Sequence, residues 1–292
     1  MDGERASRTA EYMAFFRAME SVRPKGRRLF VDPFAERFVG AGLRRAVRAS
    51  RWRVLAALVN WYADWRLPGA RTSAIARTKL IDDALRDALQ EGIQQVVILG
   101  AGFDCRAYRL EALRNVKVFE VDHPSTLARK VEILAEVLPE IPKTVLFAET
   151  DFNRRPLKNV LTEVGFEPSL RTVFLWEGVT NYLTEEAVDS VIRYVATCCA
   201  SSRIIFTYVD QGLLDGSVRF EGGERLLRDV EKLGEPWTFG IVPGELAEFL
   251  RRRGLRLERD WPAVEYRREC FGEEAREMKG YEFYHVAVGR VE

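Results

Sequence analysis

The chain has 292 residues, 47% hydrophobic and 30% charged, with a formal net charge of +1. That apolar share can build a sizeable core, in one large or two small domains, without a structural metal or disulfide. Near-neutrality argues against bulk electrostatic binding of nucleic acid, which favours a basic face.

The start, MDGERASRTA, is polar and lacks the apolar stretch of a secretory signal. Helices are expected through the first ninety residues. TAEYMAFFRAMES places Tyr12, Phe15, Phe16 and Met19 on one face, with Thr9 as N-cap. In LFVDPFAERFVG, Pro33 can open a short helix. The basic run LRRAVRASRWR, 43–53, reads as a solvated helix face rather than an RNA contact. The apolar run VLAALVNWYADW, 54–65, is too short to cross a bilayer and contains Asp64. SAIARTKLIDDALRDALQEG is amphipathic through Ile81, Leu85, Ala88 and Leu89 and ends at Gly92.

The pattern changes at residue 95. QVVILG, KVFEVD, TVLFAETD, RTVFLWEG and SRIIFTYVD are short apolar runs of the kind buried on both faces of a sheet. Helical stretches separate several of them. After Pro124 a helix carries Leu127, Val131, Leu134 and Leu138. Thr184 caps another, with Glu185 and Glu186 in its first turn and Val188, Val191, Ile192, Val195 and Cys199 inward. GELAEFLRRRGLRLERD reads as helix, stop at Gly254, strand, and EFYHVAVGRVE as a final strand. The alternation predicts a mainly parallel, doubly wound α/β sheet. The close of the chain has no clear crossover helix and suits an antiparallel strand.

LGAGFDCRAYRL follows the first strand and supplies Gly100, Ala101 and Gly102. Such a turn puts backbone N–H groups at the carboxyl edge of the sheet, where ligands of open α/β sheets bind. The third glycine of a dinucleotide fingerprint would fall at Cys105, which weakens a nicotinamide-cofactor reading. Asp122 ends the next strand, 22 residues after Gly100, at the spacing of a ribose-binding acid. Glu120 competes with it, being on the same side of the strand. Asp151, with Phe152 beside it, ends the third strand at a position to read an adenine. Glu177 ends the fourth. Acids at successive strand ends suit a nucleoside-bearing, partly cationic ligand.

SRTAEYMAFFRAMES, DPFAERFVG, ARTKLIDDAL, VVILGAGFDCRAYRL, VFEVDHPSTLARK, TDFNR and WEGVTNYLTEEAV, taken in this order, resemble the leucine carboxyl methyltransferase superfamily. The likeness is to its bacterial branch of S-adenosylmethionine-dependent enzymes and covers most of residues 7–210. It implies a class I methyltransferase (Rossmann-like) fold: seven strands, helices on both faces, a helical N-terminal cap over 1–90 and a core over 91–292. It implies Arg77 near the cofactor's methionine carboxylate, Gly100 packed on the cofactor and Asp122 on the ribose. It also implies Asp151 and Phe152 at the adenine, and Glu177 near the amino end. Cys105 departs from the Thr or Ser common there.

Candidate catalytic groups are few: Tyr182, Tyr208 and His123, with His285 read as packed in the last strand. That scarcity favours a carboxylate acceptor, which is ionised at neutral pH and needs no base. The acceptor site is expected between the sheet edge and the cap, with Tyr12, Phe15, Phe16, Tyr182 and Tyr208 as walls and 267–283 folded over the opening or over the surface. The expectation is an S-adenosylmethionine-dependent O-methyltransferase acting on a small molecule, cytoplasmic, with no nucleic-acid or membrane partner. The alternatives are an NAD(P)-dependent oxidoreductase and a catalytically silent S-adenosylmethionine-binding protein. Four cysteines (Cys105, Cys198, Cys199, Cys270) without a C-x-x-C pair, and only two histidines, argue against a zinc site. They read as buried thiols in a reducing compartment.

Overall fold

A computed structural model describes residues 8–292. The polar start at 1–7, including Ser7 of the first matching segment, lies outside the described residues. Four helices come first: α1 (Arg8–Ser21), α2 (Ala41–Ala49), α3 (Arg53–Arg66) and α4 (Ala70–Gln90). Then follow β1 (Gln95–Leu99), α5 (Arg106–Arg109), β2 (Lys117–Asp122), α6 (Pro124–Ala135) and β3 (Val145–Glu149). The chain continues through α7 (Leu157–Glu163), β4 (Thr172–Trp176), α8 (Glu185–Ala196) and β5 (Arg203–Val209). It closes with α9 (Gln211–Asp215), α10 (Gly223–Lys232), α11 (Leu246–Arg251), β6 (Leu255–Pro262), α12 (Ala263–Phe271) and β7 (Tyr284–Val291).

The seven strands form one sheet in the order β3-β2-β1-β4-β5-β7-β6. Strands β1 to β5 pair parallel, and β7 runs antiparallel between β5 and β6. The chain winds outward from β1 to β3, then returns to the other side of β1 at β4. That reversal opens a crevice at the carboxyl ends of β1 and β4, the place where such sheets bind ligands.

Alternation along β1 shows why its whole run is apolar. Val97 and Leu99 pack with Leu161 of α7, Ile192 of α8 and Leu250 of α11. Val96 and Ile98 pack with Ile81 and Leu85 of α4 and Tyr266 of α12. Helices therefore cover both faces. The cap has its own apolar cluster, joining Phe15, Phe16 and Met19 of α1 to Val47 of α2 and Leu134 of α6. Phe15 and Phe16 thus serve the cap's core. Tyr12 turns outward and is 39% exposed, since the buried stripe of α1 runs through Ala14, Phe15, Ala18 and Met19 instead. Thr9 lies inside α1 rather than capping it.

Residues 263–271 form α12, so a helix does link β6 to β7; its charged sequence hid it. The rest of 267–283 is fastened along the start of α4: Tyr281 N–H donates to Ser73 Oγ at 2.7 Å, and Thr72 Oγ1 donates to the Lys279 carbonyl. Among the described residues no helix is long and apolar enough to cross a membrane, and no group of side chains could hold a metal.

Candidate active site at the carboxyl edge of the sheet

The glycine turn is built for close approach. Gly100 has φ +64°, and a Cβ there would lie 2.3 Å from Val179 Cγ2. Only glycine fits on both counts. The Gly100 and Ala101 N–H groups both donate to the Val121 carbonyl, at 2.8 and 3.0 Å, tying the turn to β2. Gly102 is open: a Cβ there would meet nothing nearer than Ala10 Cβ at 3.7 Å. Its N–H donates to Asp122 Oδ2 at 2.5 Å, while the His123 N–H donates to Oδ1 at 2.6 Å.

Both oxygens of Asp122 are thereby oriented by backbone, and each keeps acceptor capacity. Burial raises the Asp122 pKa against those two hydrogen bonds. Glu120, its competitor in the sequence, is fully buried and lies 2.7 Å from the equally buried Lys130 Nζ of α6. Alternation put both acids on one side; depth separates them, and Asp122 is the one at the edge.

Asp151 sits two residues past β3. It accepts from Asn153 N–H at 3.0 Å and lies 3.3 Å from Arg154 Nε. The Phe152 ring is 6.4 Å from that of Trp176 at the end of β4. Between β3 and Asp151, Thr150 Oγ1 is buried with no partner among the described residues, an unmet polar atom of the kind that a bound group satisfies. Sequence reading missed Thr150.

Arg77 and Glu177 are 100 residues apart and meet directly, Nε donating to Oε1 at 2.9 Å. The Arg77 guanidinium also lies 4.7 Å over the Tyr284 ring and 3.5 Å from Met13 Sδ, so α1 reaches the site. Glu177 Oε2 accepts from Arg106 Nη1 at 2.8 Å. Arg106 Nε donates to Asp82 Oδ1 at 2.7 Å, and Asp82 also accepts from Arg109 Nη1 at 2.6 Å. Arg109 Nε is 3.8 Å from Asp32, which pairs with Arg17 Nε at 2.9 Å. Asp104 pairs with Arg106.

Four arginines and four acids thus form one buried, balanced chain from α1 to the end of β4. Burial opposes the charges, but the partners prevail. Despite burial, Arg106 holds Asp104 down at about 2. Glu177 likewise lies below the usual carboxylate range because Arg106 and Arg77 outweigh its desolvation. Asp104, Arg106 and Arg109 stand in the DCRAYR that follows the glycine turn, and sequence reading gave them no role. Three charges packed into a buried strand-to-helix turn were the available signal.

The catalytic candidates separate clearly. Tyr182 follows β4 beside the site, edge-on to Trp237 at 6.2 Å. Burial raises its pKa, so its phenol stays protonated. Thr9 Oγ1 donates to Glu235 Oε2 at 2.6 Å, fastening α1 to the segment that carries Trp237. His123 is the N-cap of α6, its Nδ1 2.9 Å from Ser125 Oγ. Tyr208 does not join the site. Its hydroxyl donates to Asp260 Oδ2 at 2.8 Å, across β7 on β6, and its ring stacks on His285 at 4.8 Å. His285 Nδ1 lies 3.2 Å from the same carboxylate. Cys105 is buried, and burial raises its thiol pKa.

This architecture, seven strands in that order with the glycine turn and edge acids at the switch point, is the class I methyltransferase fold. A structure of a DUF574-family protein from Streptomyces avermitilis superposes with a TM-score of 0.60 at 14% identity, covering 95% of this chain and 97% of that one. Another, of "a putative methyltransferase" from Thermobifida fusca, does so at 0.56 and 20% identity, covering 85% and 94%. A "Putative S-adenosyl-L-methionine-dependent methyltransferase" from Frankia alni is 34% identical over 215 residues, 73% of this chain and 71% of its own. The model of the family described as leucine carboxyl methyltransferase matches residues 10–196. The chain belongs to that family, whose methyl donor is S-adenosylmethionine.

Proposed function

We propose that the chain transfers a methyl group from S-adenosylmethionine to an ionised oxygen of a small-molecule acceptor, a carboxylate foremost. The observation that carries the reading is the opposed pair Arg77 and Glu177, 2.9 Å apart beside the glycine turn. An α-amino acid carries its carboxylate and ammonium equally close together, so the pair is complementary to the methionine end of the donor. The remaining residues suit the same molecule. Asp122 has acceptor capacity for two ribose hydroxyls, Gly102 leaves its backbone open, and Thr150 Oγ1 and Arg106 Nη2 are buried without partners among the described residues. A dinucleotide fits less well: Asp104 would face its pyrophosphate, and α5 is only 4 residues long.

When bound, S-adenosylmethionine supplies a methyl group already activated by its sulfonium. What this chain must add is alignment and exclusion of water. Arg77 and Glu177 hold the amino-acid end, Asp122 the ribose, and α1 closes over them through Met13 and the Thr9–Glu235 latch. Of the candidate bases among the described residues, Tyr182 is a phenol whose pKa burial raises and His123 Nδ1 faces Ser125, so neither is poised as a base. An acceptor that arrives ionised needs none.

The test supplies labelled S-adenosylmethionine with a panel of small carboxylic acids and phenols. A base-labile methyl ester is expected. Base-stable products would overturn the carboxylate reading. Binding without turnover on any acceptor would favour the silent alternative, and a melting temperature raised by NAD rather than by S-adenosylhomocysteine would overturn the whole reading.

A further inference from the structure

Helix α3 is built inside out. None of its residues is buried. Val54, Leu58, Trp61 and Trp65 recur at spacings of 4, 3 and 4, the period of one helix face, and they are 74%, 56%, 66% and 60% exposed. Leu55 and Tyr62 flank that stripe, and Trp52 precedes it at 66% exposed. The half-buried positions, Ala56, Val59, Asn60, Ala63 and Asp64, are the smaller or more polar ones. The outward patch is on the order of 800 Å², beyond the roughly 300–600 Å² of the largest patch on a typical monomer.

The segment around the patch carries mainly positive charge. From 41 to 66 there are six arginines (Arg44, Arg45, Arg48, Arg51, Arg53 and Arg66) and one acid, Asp64. Asp64 is paired with Arg71 at 2.7 Å. Glu36 answers Arg48 and Arg51, and Asp229 answers Arg66 at 3.3 Å. Arg45 and Arg53 are exposed and have no acidic partner among the described residues.

We infer that α3 docks the protein on an anionic phospholipid surface, lying in the headgroup layer with its apolar stripe down and the arginines on phosphates. Two tryptophans and a tyrosine along one helix, with a third tryptophan at its N-cap, suit that layer, where amphipathic rings meet both acyl chain and water. A second copy of the chain is the rival occupant, and charge disfavours it. Parallel pairing of the stripes sets the unpaired Arg53 beside its own counterpart, and antiparallel pairing sets it against Arg66, whose charge the half-exposed contact with Asp229 at 3.3 Å offsets only in part. The inference departs from the sequence expectation of no membrane partner, which considered only spanning segments. It is independent of the methyl-transfer reading, because its readout is binding alone.

The full chain is floated with vesicles of equimolar phosphatidylglycerol and phosphatidylcholine, and with phosphatidylcholine alone, at low and high salt. Flotation is expected only with the anionic vesicles and is expected to weaken with salt. Leu58→Asp should reduce it on the order of tenfold, and the Arg45→Gln, Arg53→Gln pair should reduce it too, with melting temperatures unchanged because all three sites face solvent. No flotation, or flotation indifferent to Leu58→Asp, overturns the inference. So does a dimer in sedimentation velocity that Leu58→Asp converts to monomer, since a second copy would then cover the patch.

Discussion

Replacing Glu177 by glutamine removes one negative charge from a network in which four arginines and four acids balance. The affected side chains are hidden: Arg77 is 7% exposed, Arg106 3% and Glu177 itself 17%. Glutamine keeps the shape and one acceptor oxygen but leaves Arg77 and Arg106 sharing a net buried positive charge. Breaking a buried pair by neutralising one partner costs about 3–5 kcal/mol. The partial exposure of Glu177 points to the lower end, about 3 kcal/mol, and for a chain of this size a fall in melting temperature of roughly 6–9 °C. The double variant Arg77→Met, Glu177→Gln restores neutrality, so it should melt above the additive expectation by on the order of 1–3 kcal/mol. Binding of S-adenosylhomocysteine should be lost in both, because the single variant lacks half of the zwitterion clamp and the double variant lacks all of it. Thermal unfolding of the four forms of the cycle, with calorimetry of the ligand, reads both effects. Strict additivity, or a Glu177→Gln protein that melts like the wild type, would refute the idea of a coupled network under the site.

Gly100→Ala forces a Cβ to 2.3 Å from Val179 Cγ2 at φ +64°. The left-handed backbone costs about 1–2 kcal/mol and the overpacking a further ~1–3 kcal/mol; Val179→Ala should recover only the second part in denaturant titrations. Asp104 and Glu177 have pKa values below their unfolded ones, so their stabilisation is present above the ordinary carboxylate range and lost as the pH falls through it, for Asp104 toward about 2. Glu120 and Asp122, raised by burial, act with the opposite sign. Asp104→Asn should therefore flatten the acid limb of a melting-temperature profile, and an unchanged profile would count against the assignment. Tyr208→Phe should cost about 1 kcal/mol through its lost bond to Asp260 and leave turnover unchanged; a large fall in kcat would return Tyr208 to the site.

The sheet was legible because strands buried on both faces must be continuously apolar, and QVVIL or TVFLW admits few other readings. The carboxyl-edge acids were legible because strand ends are marked by that apolar run stopping. Partners were not. A buried arginine and a surface one look alike in sequence, so the charges of DCRAYR were a signal without a partner until the fold joined Arg106 and Arg109 to Asp82. Glu120 and Asp122 share a side, and only depth and Lys130 distinguish them. The charged RRECF hid α12, and 54–65 was read only as an apolar run too short to cross a bilayer, because an apolar run does not say which way a helix face points.

The central claim is that the Gly100–Gly102 turn, Asp122 and the Arg77–Glu177 pair form a site for S-adenosylmethionine. Titration calorimetry of S-adenosylhomocysteine into the wild type and Asp122→Ala tests it most directly. Micromolar binding is expected in the first. In the second, losing charge-assisted bonds to two hydroxyls should weaken binding on the order of 100-fold. Equal affinities in the two proteins, or heat with NAD and none with S-adenosylhomocysteine, would contradict the account.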